Sequence, residues 1–249
     1  MLAEERFERI LALLEDNRSV TVQQLCESLG ISESTARRDL LELDRQGRLT
    51  RVHGGATLSS RPVLTEEQPM AAKEQQAVAE KQAIGKLAAG FIRAEDFVFV
   101  DAGSTTLQLV RALQDEGLRA AFVTNGIAHA RLLAQKGCRV YMLGGQIRPS
   151  TEAVVGTAAM LSVRGYNFTK AFMGANGVSL DTGYTTPDVE EAALKAAAVQ
   201  RARESWFLVD DSKFGKVYAA VICPLTDAAL ATNRLPNEKY RRYTLVEMP

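Results

Sequence analysis

In Ser32-Glu33-Ser34-Thr35-Ala36-Arg37-Arg38-Asp39-Leu40-Leu41-Glu42-Leu43, the residues Ala36, Leu40 and Leu43 fall at i, i+4 and i+7, which is one face of a helix. Ser32 ahead of them suits an N-cap. The opposite face presents Ser34, Thr35, Arg37, Arg38 and Glu42. Upstream, Val22, Leu25 and Leu29 mark a short helix that stops at Gly30. Before it, Phe7, Ile10, Leu11, Leu13 and Leu14 mark an amphipathic helix of about three turns. Ser19-Val20-Thr21, between the two, is β-prone. Downstream, Leu49-Thr50-Arg51-Val52 and Ala56-Thr57-Leu58 flank His53-Gly54-Gly55 and read as a β-hairpin. Three helices and a hairpin in this order predict a winged helix-turn-helix. Its third helix fits the major groove of double-stranded DNA and offers N-terminal side chains to base edges.

Charge supports that reading. Lys+Arg and Asp+Glu are 30 each over 249 residues, which excludes a wholly basic nucleic-acid coat and an acidic disordered tail. The balance is uneven, however. Residues 1–33 carry three Arg against seven acids, whereas residues 34–57 carry five Arg against three acids. A local Arg cluster on a neutral body is the electrostatic footprint of a small reader domain. Apolar residues at 46% and charged residues at 24% are ordinary for a globular protein. No apolar run approaches the roughly 18 residues of a membrane helix. Met1-Leu2-Ala3-Glu4-Glu5-Arg6 has acid where a secretory leader has base, so a cytoplasmic location is expected. Cys26, Cys138 and Cys223 are far apart and unpaired in spacing, which argues against disulfides and a zinc site. Neither a metal nor a cofactor is expected.

Ser34-Thr35-Ala36-Arg37-Arg38-Asp39-Leu40, followed by Leu43, Gly47 and Arg51-Val52-His53-Gly54-Gly55-Ala56, resembles the DeoR-type helix-turn-helix of bacterial transcriptional regulators. The resemblance covers nearly all of residues 1–57. It implies that Ser34, Thr35, Arg37 and Arg38 face operator DNA, with Ser32, Arg51 and His53 as backbone contacts.

Residues 59–73 are polar, contain Pro62 and Pro69, and lack periodicity. The expected organisation is therefore a DNA-binding domain over 1–58, a linker over 59–73 and a second domain over 74–249. From Glu74 on, helix and strand patterns alternate. Helices are expected at 77–91, 105–113, 127–134 and 189–202, and strands at 97–100, 121–123, 140–143, 171–173 and 206–209; Ala153–Leu161 continues the series. That alternation indicates an α/β domain with a parallel sheet covered on both faces. Residues 235–249 carry little signal.

Ligands in such sheets sit beyond the C-terminal strand ends. Five loops there are small or polar: Asp101-Ala102-Gly103-Ser104-Thr105-Thr106, Thr124-Asn125-Gly126, Gly144-Gly145, Gly174-Ala175-Asn176-Gly177 and Asp210-Asp211-Ser212-Lys213. Gly and Asn often do no more than make turns, but five such loops on one edge suggest a site. The first, opening a helix, is an anion cradle. Asn125, Asn176 and the glycine backbones suit hydroxyl groups. A ligand with one phosphate and several hydroxyls is implied, without a Walker loop or a GxGxxG fingerprint.

Lys81-Gln82-Ala83-Ile84-Gly85, Asp101–Thr106, Val123-Thr124-Asn125-Gly126, Leu143-Gly144-Gly145 and Asp211-Ser212-Lys213 extend the resemblance to the DeoR C-terminal sensor domain, which is similar in fold to ribose-5-phosphate isomerase and CoA transferase. It implies phosphate contacts from Lys81, Gly103, Ser104, Thr105 and Thr106, and a binding role for Lys213. The isomerases carry an acidic Asp-Gly-Ala-Asp-Glu loop. Here the stretch reads Gly174-Ala175-Asn176-Gly177-Val178, and Asn cannot act as the base an aldose–ketose isomerisation needs. The acids at 188–191 suit the first turn of a helix. The reading is a non-enzymatic regulator, expected to repress a sugar-catabolism operon as a homodimer or homotetramer. Gly183-Tyr184-Thr185-Thr186-Pro187-Asp188 looks most like regulators of fructose uptake, which implies fructose 1-phosphate as effector. The alternatives are a sugar-phosphate isomerase fused to a DNA-binding module, and an adaptor that docks proteins through its winged helix.

Overall fold

The structure is a computed structural model and describes residues 2–57 and 63–249. The chain divides into two compact units, 1–62 and 63–249.

The first unit holds α1 (Ala3–Asn17), β1 (Ser19–Thr21), α2 (Val22–Leu29), α3 (Glu33–Arg45), β2 (Thr50–Val52) and β3 (Gly55–Thr57). Helix α2 starts at a reciprocal capping box between Thr21 and Gln24 and ends at Gly30 with φ of 65°. Ser32 caps α3 by accepting the Thr35 N–H at 3.3 Å. Ile10, Leu14, Leu25, Ala36, Leu40, Leu43 and Leu49 form one buried core. The expected hairpin gains a third strand, because β1 pairs with β3 antiparallel, with Val20 opposite Ala56. A Cβ on Gly55 would lie 2.1 Å from the Val20 carbonyl oxygen, so only glycine admits this approach. Leu58, expected at the end of the wing, and residues 59–62 of the expected linker lie outside the described residues.

The second unit begins with β4 (Val63–Leu64), α4 (Met70–Glu74) and α5 (Val78–Ala89). It continues through β5 (Phe97–Val100), α6 (Ser104–Ala112), β6 (Ala121–Thr124), α7 (Ile127–Gln135), β7 (Arg139–Met142), β8 (Gln146–Arg148), β9 (Ala153–Val155) and α8 (Thr157–Arg164). It ends with β10 (Phe168–Met173), β11 (Gly177–Ser179), β12 (Gly183–Thr186), α9 (Val189–Arg201), β13 (Ala202–Leu208), β14 (Val217–Tyr218), β15 (Ala220–Cys223), β16 (Ala229–Ala231) and β17 (Val246–Glu247). Seven strands form a parallel sheet in the order β17-β16-β13-β10-β5-β6-β7. Buried clusters cover both faces, one around Phe99, Phe168 and Phe207, the other around Phe122, Phe172 and Trp206.

The structure corrects three expectations. Residues 63–73 are not linker: β4 pairs with β14, and α4 buries Met70. Residues 153–161 are not one element, since β9 pairs with β8 as a hairpin and α8 starts only at Thr157. The unassigned tail supplies β17, which pairs with β16. A small antiparallel sheet, β11-β12-β15, was not anticipated. No described helix is long and apolar enough to cross a membrane.

Candidate functional site

On the first unit, Ala36, Leu40 and Leu43 turn inward, and Ser32, Ser34, Arg37, Arg38, Arg51 and His53 are exposed, with Thr35 half-buried. Asp39 also points inward and takes the Arg6 guanidinium with both carboxylate oxygens, at 2.7 and 3.0 Å. This bidentate pair fixes α3 against α1. Arg37 pairs with Glu33 one turn back at 2.9 Å. The Arg38 side chain makes no bond within the described residues. Arg37, Arg51, His53 and Gly54 line one cleft between α3 and the hairpin. The result is a convex, cationic helix face flanked by a wing.

On the second unit, three of the five loops converge. Asp101, Ala102, Gly103, Ser104 and Thr105 after β5, Gly174, Ala175 and Asn176 after β10, and Lys213 after β13 line one cavity of about 40 Å³. Met70 and Lys73 from α4, Thr151 from the hairpin tip, and Glu191 and Lys195 from α9 complete its walls. The first N–H groups of α6 lack helical partners by geometry. The Ser104 and Thr105 hydroxyls, and the Lys213 ammonium, make no hydrogen bond within the described residues. Burial lowers the pKa of Lys213, with Asp210 opposing.

Asp101 and Lys195 form a buried ion pair at the floor, and the same Asp101 oxygen accepts the Gly174 N–H at 3.1 Å. Burial works against the Lys195 ammonium, but Asp101 and Glu191 outweigh it and hold the pKa above the usual lysine value. Glu191 accepts the Thr151 hydroxyl at 2.9 Å, and burial pushes its pKa up although Lys195 opposes. Arg148 fastens the hairpin to α9 by pairing with Asp188 at 2.5 Å and Glu190 at 2.9 Å.

Other expected residues sit behind the cavity. Thr106 is fully buried and donates its hydroxyl to the Asp101 carbonyl at 2.6 Å. His129 packs under the same loop, with Nε2 3.2 Å from the Gly103 carbonyl and 3.1 Å from the Thr106 hydroxyl. A carbonyl only accepts, so Nε2 carries the proton of the neutral ring. Burial lowers the His129 pKa to about 4. Asn125 accepts the Ala102 N–H at 2.9 Å, which makes it a support for the first loop and not a wall of the cavity. The Lys81 ammonium donates to the Lys73 carbonyl and does not line the cavity. Gly144 and Gly145 are exposed and stand away from it.

Residues 6–61 match the DeoR-like helix-turn-helix domain, and residues 76–233 match the DeoR C terminal sensor domain. The chain belongs to the DeoR family. It is 36% identical over 251 residues to an uncharacterised HTH-type transcriptional regulator named FruR from Bacillus subtilis strain 168, covering 100% of this chain and 99% of that protein. It is 32% identical to the HTH-type transcriptional repressor GlcR from the same organism, covering 96% of this chain and 92% of that one. Among solved structures, ribose 5-phosphate isomerase A from Methanocaldococcus jannaschii aligns with a TM-score of 0.41 at 20% identity, over 55% of this chain and 54% of that one. As a DeoR-family protein the chain is a transcriptional regulator whose first unit binds DNA, and the two relatives are named as a transcriptional regulator and a transcriptional repressor.

Within the second unit, residue-by-residue reading missed Met70, Lys73, Thr151, Glu191 and Lys195. The acids at 188–191 suit a helical first turn, and Asp188 caps α9 by accepting the Glu190 and Glu191 N–H groups at 3.0 and 2.9 Å. Glu191 nevertheless turns into the cavity wall. A usable signal existed: Glu191 and Lys195 are an i, i+4 pair on a helix otherwise rich in Ala, the mark of two charged groups sharing one inward face.

Proposed function

We propose that this DeoR-family regulator represses a sugar-catabolism operon and that a phosphorylated sugar, seated in the cavity of the second unit, lowers its affinity for operator DNA. The supporting observation is the set of unengaged groups in that cavity. The Ser104 and Thr105 hydroxyls and the Lys213 ammonium share one small space with the open end of α6. Two hydroxyls and an ammonium left unengaged beside an open helix N-terminus suit an anion. Asn176, Thr151 and Glu191 on the far wall offer the mixed donors and acceptors that sugar hydroxyls need. The repressor name of the GlcR relative and the FruR name fit a carbohydrate operon. Fructose 1-phosphate is the proposed effector.

Ser34, Thr35, Arg37 and Arg38 read the major groove, and Ser32, Arg51 and His53 contact the backbone. One short winged helix reads a half-site, so the active species is a homodimer or homotetramer acting in the cytoplasm. Effector and DNA are coupled reciprocally by about 1–3 kcal/mol. A thermal-shift screen of phosphorylated sugars against the full chain, followed by footprinting on the DNA beside its own gene with and without the best hit, tests this. The expected result is a raised melting temperature with one hexose phosphate and a footprint that weakens in its presence. Indifference to every phosphorylated sugar, or a footprint unaltered by them, refutes the reading.

A further inference from the structure

A ligand site for a small molecule is usually about 300–1,000 Å³. The cavity here is about 40 Å³, well below that range. Met70 and Lys73, near the start of the second unit, form part of its wall. The Glu67 carboxylate pairs with Lys73 and accepts the Asn176 amide at 3.1 and 3.4 Å. The Glu67 and Lys73 side chains are only 14% and 17% exposed. Glu67 also acts electrostatically on Lys195, Lys213 and Glu191, so it lies near the groups that line the cavity.

We propose that residues 63–74 form a strap that holds Glu67 as an internal anion on Lys73 and Asn176 of the cavity wall, so that a phosphorylated effector binds only by displacing it. The proposal rests on the sugar-phosphate reading above. Two anions cannot share Lys73 and Asn176 without strong repulsion, so one must leave. The strap is anchored mainly at its two ends. Val63 and Leu64 pair with β14, and the Leu64 carbonyl accepts the Ala219 N–H at 3.0 Å; at the other end Met70 is buried with its N–H donating to the Ser150 carbonyl at 2.8 Å, and Glu74 pairs with Arg111 at 3.1 Å. Glu66, Gln68, Pro69, Ala71 and Ala72 are exposed. Segments with few buried contacts open at the low end of the stability scale.

A second observation supplies the alternative state. While the strap is closed, the Lys81 ammonium donates to the Lys73 carbonyl. Asp210 is fully buried, and its Oδ2 has no partner among the described residues. It lies within electrostatic reach of Lys81. Once the strap withdraws Lys73, Asp210 is the waiting partner for Lys81. The strap begins at residue 63, the first residue of the second unit.

The experiment titrates the full chain and its Glu67→Gln variant with fructose 1-phosphate, fructose 6-phosphate and glucose 6-phosphate by calorimetry, while amide exchange is followed at Met70. Glu67→Gln should bind the recognised sugar phosphate about tenfold more tightly, because less of the population is closed. Met70 should exchange faster in wild type when ligand is added, and faster in the variant without ligand. Glu67→Ala should behave the same way and serves if the amide variant retains the closed contact. Equal affinities with unchanged exchange overturn the strap and leave the effector reading standing. Weaker binding by the variants overturns it too, since Glu67 would then be holding the ligand. Binding of none of the three sugars to either protein overturns the effector reading and the strap with it.

Discussion

Arg38 on α3 and Lys195 on α9 are both cations on helices of thirteen residues, and their surroundings are opposite. Arg38 is exposed and bonded to nothing within the described residues. Lys195 is buried and bound to Asp101, which ties its helix to the loops after β5 and β10. The first arrangement keeps a charge available to a partner from outside. The second uses charge to hold a cavity in shape. A charge in water costs little to leave unpaired, whereas a buried charge is tolerated only with its counter-charge in place. Function on the first unit is therefore read from what lies free, and on the second from what the fixed charges leave open between them.

The largest test of this contrast is Lys195→Met. It strands the Asp101 carboxylate inside the protein and should destabilise the second unit by about 3–5 kcal/mol in urea denaturation. The double variant Asp101→Asn with Lys195→Met should recover most of that, because no buried charge is left uncompensated. A single variant that unfolds at the wild-type midpoint would remove the distinction between the two cations.

His129 sharpens the contrast through pH. Its folded pKa is about 4, below the ordinary histidine value of about 6.5. Between those values the unfolded chain binds a proton that the native ring does not. Stability is therefore lost as pH falls from about 6.5 to about 4, by up to about 3 kcal/mol from this group. His129→Gln should show a shallower decline of urea midpoint across that window. Equal slopes in the two proteins would mean that the ring beneath the Gly103 loop is not held neutral.

The same contrast explains what could be read in advance. The first unit was legible because its signals are local. The stripe of Ala36, Leu40 and Leu43, the cap at Ser32 and the stop at Gly30 each lie within a few residues of what they determine. Five strands of the parallel sheet, β5, β6, β7, β10 and β13, were legible as continuous apolar runs, and the loops after β5, β10 and β13 followed from them; the short edge strands β16 and β17 were not. Residues whose role depends on distant partners were not. Glu67 meets Asn176 across 109 residues, and Asp101 meets Lys195 across 94. Asn125 and Lys81 have the chemistry of ligand-binding groups, but they are used up on the Ala102 amide and the Lys73 carbonyl. Polar composition made residues 63–73 look like linker because most of their side chains face water, while the few that turn inward close the cavity.

The smallest expected effect falls on the exposed side of the comparison. Arg38→Ala should reduce binding to the DNA beside the chain's own gene by about 1–3 kcal/mol, as for one base or phosphate contact, and change the unfolding free energy measured in urea by no more than about 0.5 kcal/mol. Arg37→Ala is the internal control. Arg37 is already engaged by Glu33 at 2.9 Å, so part of what it gives to DNA is offset by breaking that pair, and its loss should be smaller than that of Arg38. Salt separates the two ways Arg38 can act. If it grips phosphate, the slope of log affinity against log salt falls by about one in the variant, and all sequences suffer alike; if it reads a base edge, the slope is kept and discrimination at one position is lost. A variant that binds as wild type, or one that loses stability in proportion to binding, would put Arg38 on the structural side with Lys195 and leave the DNA-reading face to be sought elsewhere on α3.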